Sequence, residues 1–172
     1  QVAKAGGRVR LWSAGCSAGH EPYSAAMALL SVFPDAARYD VRILATDIDT
    51  QVIQRASAGL YNDADVDPVP AAFKNRWLNR TGEGWSVAPE VRELIAFRPL
   101  NLLGDWPMKG RFDVIFCRNV AIYFDESTQA ALFSRFRDSL NDGGRLYIGH
   151  SERADIAGLK PDGLTAYRRE GR

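Results

Sequence analysis

Residues Leu11 to Leu30 read LWSAGCSAGHEPYSAAMALL, and the fold turns on what this stretch becomes. Val9, Leu11 and Trp12 make a short apolar strand, GCSAG supplies a tight turn, and Pro22 stands where the first helical turn begins. Ala25, Met27, Leu29, Leu30 and Phe33 continue at helical spacing. A strand, a glycine turn and a helix in that order serve two chemistries. GCSAG matches the G-x-S-x-G elbow that presents a nucleophilic serine in hydrolases, which would make Ser17 the nucleophile. Equally, Gly15 and Gly19 let the backbone pass close to a cofactor bound at a helix N-terminus.

Further apolar runs at Val41 to Thr46, Leu94 to Phe97, Phe112 to Cys117 and Arg145 to Ile148 read as strands, with helical patterns between several of them. Such alternation predicts an α/β fold, a mainly parallel Rossmann-like sheet with helices on both faces. In the helix after the fourth strand, Asp125 is the expected cap, Leu132, Phe133, Phe136 and Leu140 share a face, and Gly143-Gly144 are the expected stop. The segment between Ser57 and Pro99 is too long for an ordinary crossover. Trp77 to Arg80 and Trp85 to Val87 read as a hairpin around Thr81-Gly82-Glu83-Gly84, with Val91 to Glu93 as a third strand. Residues 70–93 are therefore expected to form a small inserted antiparallel β-subdomain.

The 172 residues, 46% of them hydrophobic, suffice for one domain with a full core. Lysines and arginines number 22 against 21 acids, a net charge of +1 with no block of like charge, which argues against a phosphate-reading nucleic-acid binder. No apolar run approaches the roughly 20 residues that span a bilayer, and no signal peptide opens the chain, so no membrane insertion is expected. Cys16 and Cys117 lie far apart and His20 and His150 are the only histidines, a pattern of neither zinc site nor disulfide framework, and one suited to a reducing cytoplasm. Gln1 opens the chain without an initiator Met, as a piece of a longer protein would.

The hydrolase reading requires an acid and a histidine after Ser17. Asp47, Asp105 or Asp113 with His150 satisfy the chain order, but no segment resembling an oxyanion-hole donor precedes the elbow. The cofactor reading gains from ILATDID, which places Asp47 at the carboxyl end of the second strand, where an acid accepts hydrogen bonds from ribose hydroxyls. G-x-x-x-G lacks the central glycine of a dinucleotide fingerprint, and Asp47 follows the turn by about 30 residues rather than the usual 20 or so. A cofactor without phosphates, such as S-adenosylmethionine, suits this spacing better than a dinucleotide. The bland readings are a plain tight turn, helix capping by the acids of DID, and core packing for Tyr123 and Phe124.

RLWSAGCSAGHEPYSAAM, ILATDIDTQVIQRASAGLY, PLNLL, FDVIFCRNVAIYFD and LYIGHSE, with an echo in GLTAYRR, resemble in order the motifs of the chemotaxis receptor methyltransferases, the CheR family. The resemblance implies a class I S-adenosylmethionine-dependent methyltransferase domain over residues 1–172. Its reaction would transfer a methyl group to glutamate side chains of bacterial chemoreceptors or receptor-like signalling proteins, leaving S-adenosylhomocysteine. Carried over by motif, Glu21 is the cofactor-binding acid beside Gly15 and Gly19, and Asp47 is the acid on the ribose side. Asn101 and Leu102 flank adenine, Asn119 and Val120 run past the methionine portion, and Tyr123 stands near the transferring methyl as the catalytic residue. His150, Ser151 and Glu152 are expected to organise a loop beside the site. The family's insertion docks a receptor-tail peptide in some members, and the turn TGEG is short beside theirs. Two departures from the family are expected: His20 stands where an acid is usual, and the family's upstream helical domain is not found before Arg8 in these 172 residues. That second departure leaves another function open, a domain that binds S-adenosylmethionine or S-adenosylhomocysteine as a sensor or scaffold without transfer.

Overall fold

The computed structural model describes residues 1–171. Strand β1 (Val9–Ala14) leads through the glycine turn into α1 (His20–Val32), followed by β2 (Val41–Asp47) and α2 (Thr50–Ala58). Strand β3 (Leu60–Tyr61), the short helices α3 (Asp63–Val66) and α4 (Ala71–Trp77), strands β4 (Leu78–Thr81) and β5 (Gly84–Val87), and α5 (Pro89–Arg92) come next. The chain then runs through β6 (Ile95–Pro99), β7 (Phe112–Cys117), α6 (Glu126–Ser139), β8 (Leu140–Ile148), β9 (Leu159–Pro161) and β10 (Ala166–Arg169).

Seven strands form the main sheet in the order β6-β2-β1-β7-β8-β10-β9. The first five are parallel, and β10 lies antiparallel to both β8 and β9. From β1 the chain builds outward through β2 to β6, then returns to lay β7 on the other side of β1. This reversal opens a crevice at the carboxyl ends of β1 and β7, the place where parallel α/β sheets bind ligands. It is the mainly parallel, Rossmann-like sheet that the sequence predicts.

The period-2 alternation of strand side chains divides the core. Trp12 and Ala14 of β1 face α6, where Phe112, Leu132, Phe133, Phe136 and Leu146 complete one cluster. Trp106, Phe112 and Phe136 pack around the Trp12 ring at centroid separations of 4.8 to 5.3 Å, and the Trp12 indole N–H donates to Thr46 Oγ1 at 2.9 Å, so its one polar atom is satisfied. On the opposite face Ile43 of β2 meets Tyr23, Met27 and Leu30 of α1 together with Trp77, Val87 and Leu94. The fold is thereby tied to the small sheet, in which β5 lies between β3 and β4.

Two local expectations need correction. The third strand of the small sheet is Leu60–Tyr61, paired with Trp85 and Ser86, whereas Val91 to Glu93 fall in and beside the helical turn Pro89–Arg92. Pro89 begins that turn where its missing N–H costs nothing, and Val91 is fully buried on it. Helix α6 starts at the Asp125 cap, whose carboxylate accepts from Thr128 N–H at 2.8 Å, but it ends at Ser139 and not at the two glycines. Gly143 and Gly144 lie in a bulge of β8, where the pairing with β7 slips between Phe112 and Val114. A Cβ on Gly144 would stand 2.8 Å from the Asn141 carbonyl oxygen. Strands β9 and β10 are not visible in the sequence pattern.

Candidate functional site

The residues singled out from the sequence lie on loops that leave the carboxyl ends of five neighbouring strands. Gly15 and Gly19 follow β1, Asp47 ends β2, Asn101 and Leu102 follow β6, Asn119, Val120 and Tyr123 follow β7, and Glu152 follows β8. The topology, not local sequence, brings them to one edge.

Gly15 and Gly19 are both left-handed, at φ 76° and 88°. A Cβ on Gly15 would stand 2.5 Å from Val120 Cγ2, and one on Gly19 would stand 3.0 Å from both Ala56 Cβ and the Tyr61 hydroxyl. The glycines therefore answer to turn geometry and to close packing against the β7 loop and α2. Two tyrosines hold the surroundings, since the Tyr61 hydroxyl donates to the Ala18 carbonyl at 2.7 Å and the Tyr23 hydroxyl to the Ala56 carbonyl at 2.8 Å. His20 lies 3.5 Å from the Asp65 carboxylate, so the start of α1 is linked to the segment bearing the small sheet whenever the imidazole is protonated.

Ser17 is exposed and also left-handed, at φ 46°. Its hydroxyl makes no hydrogen bond among the described residues, and neither does His150, so no serine–base pair exists here. The Ser17 backbone does the work instead, donating to Asp47 Oδ2 at 2.8 Å while Asp49 N–H donates to Oδ1 at 3.1 Å. Asp49, not Asp47, caps α2 through Gln51 and Val52. Asp47 thus stays at the strand end, half-buried, with its carboxylate fixed by two backbone donors.

Glu21 lies on the first turn of α1, its carboxylate accepting from the Ser13 hydroxyl at 2.7 Å and lying 3.8 Å from the Arg118 guanidinium. Burial pushes its proton affinity above the ordinary carboxyl value, with the Ser13 hydrogen bond and Arg118 acting in the opposite direction. A carboxyl that holds its proton more tightly folded than unfolded lowers stability as pH rises from its unfolded value of 4.5 through its folded one. Glu21→Gln should therefore melt at or above the wild-type temperature at about pH 7, and the difference should vanish near pH 4. Differential scanning calorimetry at the two pH values checks this, and a variant that melts clearly lower at neutral pH would show that Arg118 and Ser13 outweigh burial.

Burial also raises the thiol of Cys16 to about 12 and that of Cys117 further, so both remain protonated and inert at neutral pH. Leu102 is 8% exposed and packs among the residues facing α6, while its carbonyl accepts from Trp106 Nε1 and Arg135 Nη1. Arg135 also lies over the Trp106 ring at 4.0 Å and so fastens the β6 loop to α6. The Asn101 side chain accepts from Leu103 N–H at 2.9 Å and shapes the same loop.

Sequence reasoning singled out Tyr123 but missed three other exposed apolar side chains on this edge, Ile48, Leu103 and Ile122. Ile48, Leu103, Ile122 and Tyr123, from the loops after β2, β6 and β7, are 45 to 80% exposed. Large apolar side chains exposed on the ligand-binding edge of a parallel sheet are candidates for contact with a bound molecule. The available signal was an apolar residue between two acids immediately after a strand, as in Asp47-Ile48-Asp49. Arg118, opposite Glu21, was also missed. The arrangement suits a ligand with a flat apolar part, hydroxyls for Asp47 and a zwitterionic end for Glu21 and Arg118. A separate cavity of about 610 Å³ lies off this edge, between α1 and the small sheet, with His20 on its rim. Among the described residues no three His, Cys, Asp or Glu side chains come together as a metal site, and no helix is long and apolar enough to cross a membrane.

Comparison with known proteins identifies the family of the chain. A family model described as CheR methyltransferase, SAM binding domain, matches residues 1–160. A probable chemotaxis protein methyltransferase of Rhizobium etli is 49% identical over 177 aligned positions, covering 98% of this chain and 65% of that protein. The chemotaxis protein methyltransferase of Escherichia coli K12 is 41% identical over 152 positions, 85% of this chain and 52% of its own length. Among solved structures, PKMT2 from Rickettsia typhi in complex with AdoHcy is 16% identical with a TM-score of 0.46, over 81% of this chain and 20% of that one. The chain spans about half to two thirds of the length of these curated relatives. By the extent of the family match, the chain belongs to the CheR methyltransferases and carries their S-adenosylmethionine-binding domain.

Proposed function

We propose that this domain transfers a methyl group from S-adenosylmethionine to glutamate side chains of bacterial chemoreceptors or receptor-like signalling proteins in the cytoplasm. The product would be a glutamyl methyl ester. The observation that carries this reading is the convergence at one sheet edge of Asp47, Glu21 with Arg118, and the exposed apolar side chains. These residues fit the cofactor by their chemistry: an acid for ribose hydroxyls, an acid and a cation for the amino-acid end, and apolar side chains for adenine and the methyl group. The match to chemotaxis methyltransferases supports the receptor as substrate.

S-adenosylmethionine supplies a methyl already activated by the sulfonium charge. A glutamate with an ordinary pKa of about 4.3 is ionised at neutral pH, so the protein needs no general base. Its task is to align the carboxylate oxygen with the methyl carbon and to exclude water. Ile122 and Leu103 provide apolar cover, the Asn119–Val120 backbone shapes the floor, and Tyr123 offers a hydroxyl donor. Tyr123 is 80% exposed and its hydroxyl has no partner among the described residues, so the donor is available to an incoming carboxylate.

The domain assignment, with the small sheet of β3, β4 and β5 as an insertion that reaches beyond the expected residues 70–93, and the site roles named above are part of the same proposal. Calorimetry with S-adenosylhomocysteine tests cofactor binding. Methyl-ester formation on receptor cytoplasmic fragments tests transfer, and binding without transfer would instead favour a sensor. Tyr123→Phe should keep cofactor affinity and lower the catalytic constant on the order of tenfold, because a hydrogen bond made mainly in the transition state appears in kcat. That comparison belongs in the full-length protein with saturating receptor. Unchanged turnover with chemistry rate-limiting would make the tyrosine a packing residue.

A further inference from the structure

Glu152 is 4% exposed, yet no lysine, arginine or histidine pairs with it among the described residues. A buried carboxylate without a cation is costly unless hydrogen bonds replace its water. Here five backbone N–H groups do so. Oε1 accepts from Val120, Ala121 and Ile122 at 3.1, 2.8 and 3.3 Å, and Oε2 accepts from Asn119 at 3.2 Å and Gly149 at 2.5 Å. Four of the donors are successive residues of the loop after β7. A run of N–H groups aimed at one anion forms a concave nest, and in this protein the anion is a side chain of its own fold.

The clamped loop holds an uncommon conformation. Asn119 is left-handed at φ 59°, which costs a non-glycine residue on the order of 1 kcal/mol and persists only where the surroundings enforce it. Val120 is the residue that closes on Gly15, and Ala121 opens the 3-10 turn Ala121–Tyr123 that presents Tyr123. The carboxylate thus fixes the backbone of Asn119 to Ile122, from which the β7 loop continues into Tyr123, while itself being buried.

We propose that Glu152 is a positioning residue for methyl transfer, its carboxylate setting the loop that carries Asn119, Val120 and Tyr123. This rests on the cofactor reading above. Glu152→Gln keeps the shape but turns an amide NH₂ toward N–H donors on one side, so part of the nest loses its acceptor. Glu152→Asp keeps the charge and draws it back by one methylene. Leu159→Ala, on β9 at the far edge of the sheet, serves as a comparison that lowers stability by core loss.

Amide hydrogen exchange read by NMR, at a temperature where all variants are folded, should show Asn119 to Ile122 exchanging about tenfold or more faster in Glu152→Gln, with the β1 and β7 amides unchanged. In the full-length protein the same variant should lose about tenfold or more in S-adenosylhomocysteine affinity or in kcat, with Glu152→Asp between it and the wild type. Leu159→Ala should match its fall in melting temperature without either change. Faster loop exchange with wild-type affinity and turnover would overturn the assignment and leave Glu152 a purely structural residue. Unchanged exchange would overturn the clamp itself. A wild-type protein that binds no S-adenosylhomocysteine would overturn the cofactor reading and this role with it, an outcome distinguished by the wild type alone.

Discussion

Gly15→Ala is expected to cost about 2 to 5 kcal/mol of folding stability and to abolish measurable S-adenosylhomocysteine binding. Two independent penalties add. An alanine at φ 76° pays roughly 1 to 2 kcal/mol for the left-handed backbone, and its Cβ would stand 2.5 Å from Val120 Cγ2. Valine is stiff about χ1, so relief requires the β7 loop to move, an overpacking cost of about 1 to 3 kcal/mol. Because that loop is also held from behind by Glu152, it cannot retreat without breaking the nest. The second change Val120→Ala removes the offending methyl and should recover the overpacking part while leaving the backbone part. Urea denaturation of the wild type, both single variants and the double variant measures the coupling. Strict additivity would show that the glycine is needed for its dihedral angle alone.

Asp47→Ala should weaken S-adenosylhomocysteine on the order of a hundredfold. A hydrogen bond to a charged group contributes about 1.5 to 3 kcal/mol, which converts to roughly one to two powers of ten in a dissociation constant. The same substitution leaves the Ser17 and Asp49 N–H groups without their acceptor, and so removes one of the ties that hold the left-handed Ser17 in its turn. Asp47→Asn keeps one acceptor oxygen and should fall between. Calorimetry decides, and an affinity changed less than twofold by Asp47→Ala would remove this carboxylate from the binding site.

The main sheet was legible because its five parallel strands are apolar runs at sheet period, and because a glycine turn before a helix is a strong local signal. The last two strands were hidden. In Ala166–Arg169 the buried Arg169 donates to the Leu140 carbonyl and lies 3.5 Å from Asp142, so a cation occupies what pattern reading expects to be an apolar position. Strand β3 escaped for another reason, since its two residues follow α2 directly and Leu60 is exposed. In the site, acids at strand ends could be placed from position alone. Partnerships across the sheet could not: Arg118 with Glu21, Val120 with Gly15 and Glu152 with the β7 loop each join segments that only the strand order makes adjacent. The sequence placed Glu152 in a loop beside the site, but nothing local distinguishes a buried carboxylate holding five amides from an ordinary surface glutamate.

The two halves of the Glu152 nest are separated along the chain by 30 to 33 residues, with all of α6 and β8 between them. A growing polypeptide that has emerged as far as Tyr123 already contains the glycine turn, the ribose-side acid and the tyrosine, yet the β7 loop cannot hold its shape. Only when β8 has docked beside β7 does the carboxylate arrive to lock it. On the cofactor reading proposed above, competence for ligand therefore waits for the docking of β8 beside β7, although β9 and β10 have still to join the far edge of the sheet.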